Sequence, residues 1–384
     1  MEEKEVRELL IKILYYTLND IEADRLLKER LTSDTFVALY RLAKQHSLSH
    51  VLSMFVYRNR IDVGTEMQRR LMREEFGSVL KFEQMKLAFS QICELFDSRH
   101  ISYIPLKGSV IRSYYPVESM RTSCDIDVLI HEEDLGTAIA NLESIGYTRA
   151  EKQYHDVSMY SQSNVHLELH FSLKENMENL DSVLENAWSY AECDKGSGYK
   201  FSREFFTFHI FAHMAYHFLS GGCGIRSLMD IWILNHKMGM TYSDAEELLK
   251  KSGIYKFAQE ISRIAEGCFT NNSTDSFSDT VLGYIFDGGV YGNLENRIAI
   301  KKSKGTSFIS YLRSRLFVPY KLMVIHYPVL KKCPILLPFC WVARWLKALF
   351  GGKSKKAFYE ISKMSDMPED KLNEIRDICR RLGL

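Results

Sequence analysis

Residues 103–129 read YIPLKGSVIRSYYPVESMRTSCDIDVL. The pattern predicts a short apolar strand, a Lys-Gly-Ser turn at 107–109, and a second apolar strand that contains Asp125 and Asp127. Because alternate residues of a strand point to the same face, the two carboxylates are expected side by side. Such a pair repels itself unless a cation lies between its members, which favours a divalent Mg²⁺ (or Mn²⁺) site. Two acids on a solvated strand face are the simpler alternative.

A second acidic strand, VHLELHF, follows at 165–171. Its alternation places Glu168 between two histidines on the polar face, where it is a candidate third carboxylate opposite the Asp pair. Ahead of these residues, Gly108 lets backbone N–H groups approach phosphate oxygens, and the Ser109 hydroxyl adds a donor. Three acids beside a Gly-Ser turn indicate two-metal phosphoryl or nucleotidyl transfer.

The order strand, Gly-Ser, helix, Asp-hydrophobe-Asp and a carboxylate on a later strand resembles the DNA polymerase beta nucleotidyltransferase superfamily. More narrowly, residues 80–235 resemble a family of uncharacterised bacterial nucleotidyltransferases. The motifs that carry this resemblance are, in order, LKG, YP, R, DIDVLI and HLELH. The resemblance implies an α+β fold: a small mixed β-sheet core with helices on one side, embedded in N- and C-terminal helical subdomains. It also implies that Asp125, Asp127 and Glu168 are the catalytic residues and the metal ligands.

The nucleotide-binding residues are expected around the Gly-Ser turn, where Ser109 and the Gly108 backbone hold terminal phosphates. Lys107 reaches either phosphate or a structural salt bridge. Arg121, whose planar fork of donors suits phosphate oxygens, contacts either triphosphate or an Asp. In the later HxxxHxxxH helix, His213 is the nucleotide-facing candidate. The alternative is that all three histidines of this helix line the cleft or the core without binding a ligand.

These assignments predict a metal-dependent nucleotidyltransferase that moves NMP from an NTP to a hydroxyl group and releases pyrophosphate, with ATP among the candidate donors. The acceptor is expected to be a small molecule, a sugar or a protein. The alternative function is a non-catalytic nucleotide-binding adaptor on the same fold, peripheral to the membrane in glycan assembly. A formal net charge of +1 disfavours long nucleic acid as a partner.

Composition and cysteine spacing narrow the class of protein. The eight cysteines are scattered without CxxC pairs, which indicates reduced thiols in a cytoplasmic protein and disfavours both a zinc site and a disulfide framework. The charged start, MEEKEVRELL, is unlike a signal peptide. Uncharged apolar runs stay below the ~18 residues of a spanning helix.

The chain divides into four expected parts: an N-terminal helical subdomain (1–98), the nucleotidyltransferase core (99–200), a helical substrate-cleft subdomain (201–300), and an apolar and basic arm with a C-terminal helix (301–384). Within these parts the sequence predicts one long helix at 64–98, a first strand at 100–106, a hairpin at about 147–161, a loop at DKGSGYK and a final helix at 369–382. Within the last part, 316–350 is aromatic and interrupted by Lys and Arg. Two interpretations compete for it: an arm packed on the helical domain, or an interfacial segment that makes peripheral contact with a membrane.

Individual polar residues outside the motifs carry further expectations. His46 and His50 are predicted near a helix end, with a surface or capping role. Asp156, close to the sheet, is predicted to lie in solvent. Arg226 and Asp230 are four residues apart in a helical segment and are expected to pair with each other.

Overall fold

The computed structural model describes residues 2–270, 274–304, 308–350 and 367–384. Helices dominate it and surround one small mixed sheet, so the expected α+β class is confirmed. One buried core joins side chains of the N-terminal helices, the helices after the sheet and the C-terminal helix. The division of the chain into four parts stays a prediction.

The N-terminal region is helical because leucine and isoleucine recur at helical spacing, as in Leu10, Ile13 and Leu14, which are fully buried. Its helices are α1 (Glu3–Leu18), α2 (Arg25–Arg30), α3 (Ser33–Gln45), α4 (Ser49–Asn59) and α5 (Thr65–Ser98). The single long helix that apolar spacing predicts at 64–98 is confirmed as α5, whose 34 residues span about 51 Å.

The main sheet has five strands in the order β1-β2-β5-β4-β3. They are β1 (Tyr103–Pro105), β2 (Asp125–Ile130), β3 (Thr148–Lys152), β4 (Asp156–Tyr160) and β5 (His166–His170). β2 and β5 are parallel, whereas the other neighbours are antiparallel. The hairpin predicted at 147–161 is confirmed as β3 and β4, while β1 is shorter than the strand predicted at 100–106.

Helices cover one face of this sheet, as expected. A one-turn helix, α6 (Gly108–Ile111), and two 3-10 turns lie between β1 and β2, and α7 (Leu135–Ser144) follows β2. Apolar side chains of α5 and α7 pack on the apolar side of β2 and β5; they include Ile92, Phe96, Ala138 and Leu142 against Ile126, Val128, Leu167 and Leu169. The strands therefore present their alternate, polar residues on the opposite face.

The chain after the sheet is again mostly helical. Its elements are α8 (Glu178–Leu184), β6 (Ala191–Cys193), β7 (Tyr199–Phe201), α9 (Arg203–Leu219), α10 (Ile225–His236), α11 (Glu246–Lys251), α12 (Tyr255–Phe269), α13 (Ser276–Gly288) and α14 (Leu294–Ser303). β6 and β7 pair as an antiparallel hairpin around the DKGSGYK stretch, which the sequence marks as a loop. α9 begins where the Ser202 side chain accepts a hydrogen bond from the Phe205 N–H.

The C-terminal part contains α15 (Phe308–Leu316), α16 (Tyr320–His326), α17 (Leu337–Phe350) and α18 (Glu369–Leu382). The terminal helix predicted at 369–382 is confirmed as α18, which contributes to the main core. Between α16 and α17, Met323, Leu330 and Cys340 are buried in a cluster of their own. Over the described ranges, the structure contains no helix long and apolar enough to cross a membrane.

His46 and His50 lie at helix ends, as predicted, and His46 is the C-cap residue of α3, but both are buried, which corrects the expected surface role. Nε2 of His46 lies 3.2 Å from the Phe286 carbonyl oxygen, and Nε2 of His50 lies 3.1 Å from the Met120 carbonyl oxygen. Burial lowers the pKa of each imidazole to about 4, although the hydrogen bonds to these carbonyl oxygens act to raise it. Both histidines are therefore neutral at pH 7. The two hydrogen bonds attach the N-terminal helices to α13 and to the segment before β2.

Candidate active site

Strand register brings the three predicted carboxylates together. In the parallel β2–β5 pair, Asp127 lies beside Glu168 and Asp125 lies beside His166. Ligand atoms of Asp125, His166 and Glu168 lie within 4.8 Å of one another, and so do those of Asp127, Glu168 and His170. These are two adjoining groups that share Glu168, and their donor types are ones that hold divalent cations.

The crowded negative charge affects the two aspartates differently. Burial, followed by the charges of Asp127 and Glu168, raises the pKa of Asp125. Burial also acts to raise the pKa of Asp127. The Lys107 ammonium and a hydrogen bond from His170 outweigh that effect and hold the pKa of Asp127 well below its usual range. Asp127 is therefore ionised at neutral pH, next to a carboxyl group that binds a proton more readily.

His170 is a candidate site residue that the sequence did not single out, although the HLELH alternation places it on the acidic face. Its Nε2 lies 2.9 Å from Oδ1 of Asp127 and 3.6 Å from Oε2 of Glu168. Burial acts to lower the pKa of His170, but these two carboxylates raise it to about 9. The protonated ring donates to Asp127 and fixes the orientation of that carboxylate.

The Lys-Gly-Ser turn borders the same cavity as the acidic residues. Lys107 has φ +37°, an unusual value for a residue other than glycine, and α6 begins directly after it. Gly108 is buried, and a Cβ atom there would lie 3.2 Å from Nη1 of Arg121. Glycine at 108 thus allows the Arg121 guanidinium to pack against the turn. Lys107, Gly108 and Ser109 all line the cavity, and their role in binding phosphate stays a prediction.

Arg121 forms an ion pair with Asp230, which is the aspartate contact that the sequence offered as one of two alternatives. Its Nε lies 3.0 Å from Oδ1 and its Nη2 lies 2.8 Å from Oδ2 of that carboxylate, a two-pronged contact between side chains that are only 11% exposed. The Tyr115 hydroxyl donates to the same carboxylate at 2.6 Å. Nη1 of Arg121 donates to the Thr122 carbonyl oxygen at 3.0 Å. The predicted pairing of Asp230 with Arg226 is therefore wrong.

Arg226 is the second arginine at the cavity wall, and the sequence predicts for it only a pairing with Asp230. Its Nη1 donates to the carbonyl oxygen and hydroxyl of Thr122, at 2.7 and 3.3 Å. Burial and the neighbouring charge of Arg121 lower the pKa of Arg226. Among described residues we see no acceptor for its other guanidinium nitrogens, which leaves donors that can face a ligand.

The three histidines of α9 separate into two groups. His213 and His217 line the cavity, with their Nε2 atoms 2.9 Å apart, whereas His209 is buried beside aromatic residues. Burial is the main cause that lowers the pKa of His217 to about 4 and that of His209 to about 3, and it also places the pKa of His213 well below its usual range. The cleft-lining role is thus observed for two of the three, all of them neutral at pH 7.

Asp156 is buried, which corrects the prediction that it is solvated. It begins β4, lines the cavity, and lies 3.3 Å from Nε2 of His155. Burial is the main cause of its raised pKa. Position in the sheet explains the error, because β4 pairs with β5 and brings Asp156 opposite His170. Glu175, on the segment after β5, is a further cavity-lining acid that the sequence did not suggest.

The cavity has a volume of about 430 Å³, within the usual range of ligand pockets. At its rim stands Tyr291, 77% exposed, whose hydroxyl lies 3.2 Å from Sγ of Cys124, the residue before Asp125. Tyr291 belongs to a GGVYG loop at 288–292 that runs against a GGCG loop at 221–224. An exposed ring held next to the acidic cluster is the main feature that the sequence motifs missed.

Glycine is required where these two loops meet. Gly222 and Gly292 have φ values of +127° and +69°, which residues with side chains rarely adopt. A Cβ atom on Gly222 would lie 3.0 Å from the Cα of Gly288, and one on Gly292 would lie 2.9 Å from the backbone of Gly221. The loops therefore touch backbone to backbone, and this contact sets the position of Tyr291.

Comparison with known families agrees with this geometry. A family described as "Uncharacterised nucleotidyltransferase" matches residues 33–270, more than half of the chain. The matched span runs from the start of α3 to just beyond α12 and includes the acidic cluster and the Lys-Gly-Ser turn, but not Tyr291. Comparisons with curated proteins and with solved structures give no match. The nucleotidyltransferase resemblance is thus confirmed at the family level, and the chain belongs to this family of uncharacterised nucleotidyltransferases.

Proposed function

We propose that this protein transfers a nucleoside monophosphate from an NTP to a hydroxyl group, in the manner of DNA polymerase beta-like nucleotidyltransferases. One observation carries the proposal: the β2–β5 register sets Asp127 beside Glu168, with Asp125 on the same face, at the wall of a cavity that also holds the 107–109 turn. In the reaction, the acceptor oxygen bonds to the α-phosphorus, the bond from that phosphorus to the bridging oxygen breaks, and pyrophosphate leaves.

The acidic residues fit a divalent cation. Carboxylate oxygens of Asp125, Asp127 and Glu168 are the hard ligands that Mg²⁺ and Mn²⁺ prefer. The raised pKa of Asp125 reflects crowded carboxylates, which a cation stabilises in their ionised form. When bound there, the cation neutralises triphosphate charge and makes the acceptor hydroxyl more acidic.

The residues around the turn act on the phosphates. The Ser109 hydroxyl donates a hydrogen bond to a terminal phosphate oxygen, and Lys107 and Arg226 supply positive charge from two sides of the cavity. Arg121 holds Gly108 and the segment before β2 in place through Asp230, and it acts as a positioning residue. The proposal therefore moves the phosphate-binding role from Arg121 to Arg226.

Two further residues act near the transferred group. Glu168 lies between the two metal-ligand groups and is half-buried, and it accepts the proton of the attacking hydroxyl. His213 lines the same cavity as a neutral imidazole, so it offers the nucleotide a hydrogen bond without adding charge.

Tyr291 provides a stacking surface for the nucleobase. With phosphates at the 107–109 turn and the reacting phosphorus at the acidic cluster, the nucleoside extends past Asp125 toward the rim. There the exposed Tyr291 ring is held beside Cys124. Base–aromatic stacking tolerates any of the four bases, so Tyr291 raises affinity without selecting the base.

The acceptor is a small molecule, a sugar or a protein side chain that carries a hydroxyl group. The near-neutral net charge of +1 supports this choice over long nucleic acid. Glu175 and Tyr216 lie on the α9 side of the cavity, where a carboxylate and a phenol can hydrogen-bond further hydroxyls of such an acceptor.

Thermal-shift measurements with ATP, GTP, CTP and UTP, each with Mg²⁺, Mn²⁺ or EDTA, test the proposal. We expect one or more nucleotides to raise the Tm only when metal is present, because a ligand at ~100 times its Kd stabilises the native state by about 2.7 kcal/mol. Incubation with that nucleotide and candidate hydroxyl acceptors should then release pyrophosphate.

Two variants make this experiment specific. Asp125→Asn removes a proposed metal ligand and should abolish the metal-dependent shift. Asp194→Asn changes an exposed acid on the β6–β7 hairpin and should respond like the wild type. A chain whose Tm no nucleotide raises, or an Asp125→Asn variant that responds normally, would show that the site is misassigned. Metal-dependent binding without turnover on any acceptor would favour the adaptor instead.

A further inference from the structure

The C-terminal arm (308–350) and its flanks concentrate the positive charge of the chain. Residues 296–359 contain 14 Lys and Arg and no Asp or Glu, whereas the rest of the chain carries 36 Lys and Arg against 49 Asp and Glu. The net charge of +1 therefore conceals a strongly basic segment on an acidic body. Lys331 and Lys332 are exposed between α16 and α17, and Lys347 is exposed on α17.

An exposed apolar face accompanies this charge. Ile335, Phe339, Val342 and Leu346 are 80%, 71%, 45% and 48% exposed. Their spacing of four, three and four residues places them along one side of α17 and the turn before it. We call these four residues the α17 apolar face. Exposed apolar residues that occur singly are ordinary, but a continuous row on one helix marks an interaction surface.

Packing within the arm fixes this face outward. The indole nitrogens of Trp341 and Trp345 donate to the carbonyl oxygens of Val318 and Leu316, both at 2.9 Å. Cys340, on the same helix, is buried in the arm's own cluster. The inner side of α17 is thus occupied by contacts to the end of α15 and the segment after it, and the opposite side carries the α17 apolar face.

From these observations we propose that the arm docks on the surface of an anionic lipid bilayer. The α17 apolar face inserts at the headgroup boundary, and the surrounding Lys and Arg side chains contact the anionic headgroups. Amphipathic helices with basic surroundings bind membranes in this way, because apolar burial and electrostatic attraction add. The lack of acidic residues in 296–359 removes the repulsion that an anionic surface would otherwise exert. This docking does not depend on the proposed nucleotidyl transfer.

Co-sedimentation of the full chain with vesicles tests the docking. Vesicles of phosphatidylcholine alone are compared with vesicles that also contain phosphatidylglycerol. We expect binding only to the anionic vesicles, weakened by added salt. Phe339→Asp should reduce the partition coefficient at least about tenfold, because it places a charge in the inserted face. Phe76→Asp is the matched control: Phe76 has the same 71% exposure, on α5, and this variant should bind like the wild type.

Circular dichroism and the Tm of each variant establish that the fold is kept. A double variant, Lys331→Glu with Lys332→Glu, leaves the α17 apolar face intact but reverses two charges, and it should also lose binding to anionic vesicles. Equal binding to both vesicle types, or equal loss in Phe339→Asp and Phe76→Asp, would overturn the proposal. Two other outcomes would also overturn it. One is that the arm binds an RNA oligonucleotide and not vesicles, and the other is that light scattering shows a dimer that Phe339→Asp converts to a monomer.

Discussion

Asp127 receives its properties from neighbours on three elements. β5 places Glu168 beside it, His170 donates to one of its oxygens, and the Lys107 ammonium at the start of α6 holds it ionised. His170 contacts Oδ1 of Asp127 at 2.9 Å and so fixes the orientation of that carboxylate. At the scale of single residues, contacts within the protein therefore hold this carboxylate in one ionisation state and one orientation.

Tyr291→Ala should weaken binding of the preferred NTP about tenfold, because loss of one base-stacking contact costs about 1–3 kcal/mol. Tripolyphosphate with Mg²⁺ has no base and should bind both proteins equally. Isothermal titration calorimetry of the two ligands gives the comparison directly.

Tyr291→Phe is the control for this measurement, since it keeps the ring and removes only the hydroxyl that contacts Cys124. We expect its NTP affinity to stay near that of the wild type. Equal weakening of NTP and tripolyphosphate in Tyr291→Ala would mean that the ring shapes the cavity and does not stack on the base.

At the scale of elements, the Arg121–Asp230 pair joins the segment before β2 to α10. Arg121→Gln leaves the Asp230 carboxylate buried with Tyr115 as its remaining partner. Loss of one partner of a buried ion pair costs about 3–5 kcal/mol, so we expect a decrease of that size in the free energy of unfolding. Urea denaturation followed by circular dichroism measures it.

Arg203→Gln is the matched control for the ion-pair experiment. Arg203 also pairs with an aspartate, Asp244, but its side chain is 49% exposed, so its removal should cost less than about 1 kcal/mol. If Arg121→Gln kept full stability and lost NTP affinity, Arg121 would be a phosphate ligand and its contact with Asp230 a resting state.

Much of the element structure could be predicted from the sequence because its signals are local. α5 and α18 follow from apolar spacing along 64–98 and 369–382, and the facing of Asp127 and Glu168 follows from the alternation in DIDVL and HLELH. The β6–β7 hairpin could not be predicted in the same way, because its strands have three residues each and surround a sequence rich in turn formers.

Contacts between distant residues explain what sequence reasoning missed. Arg121 meets Asp230 109 positions along the chain, His46 meets Phe286 240 positions away, and Tyr291 meets Cys124 167 positions away. No periodicity or motif spacing reports such pairings, because they depend on how the helices pack around the sheet. The spacing of four residues pairs Asp230 with the nearby Arg226 for the same reason, because only local partners are visible in a sequence pattern.

At the scale of the whole molecule, buried neutral histidines make stability depend on pH. The pKa values of His46, His50, His155 and His217 are lowered to about 4, and that of His209 to about 3, in each case mainly by burial. The unfolded chain therefore binds more protons than the folded chain between about pH 6.5 and pH 4. The contribution of these histidines to stability is complete above pH 6.5 and is lost as the pH falls, by up to about 3 kcal/mol for each histidine.

Urea unfolding at pH 7.5, 6.0 and 5.0 measures this loss. His50→Gln removes one of these histidines, so it should reduce the slope of the unfolding free energy against pH by about one proton, or about 1.4 kcal/mol per pH unit between about pH 6.5 and pH 4. Arg226 and Glu74 are the charged groups that act on His50. His170, whose pKa is raised to about 9, acts in the opposite direction, and so do the carboxyls of Asp125, Asp156, Glu175 and Asp287, whose pKa values burial raises. A slope that His50→Gln left unchanged would contradict the assignment.

The backbone contact between the GGCG and GGVYG loops has a consequence for how the protein tolerates change. Gly222 and Gly292 are not among the ligand-binding residues proposed above, yet a Cβ atom at either would lie within 3.0 Å of the opposite loop, so a side chain there is expected to displace that loop and Tyr291 with it. In a saturation scan scored by activity, both positions should be as intolerant as Asp125 and Asp127. A homologue that carried a larger residue at one of them should therefore carry a compensating change in the facing loop, so the two loops are expected to evolve as one unit.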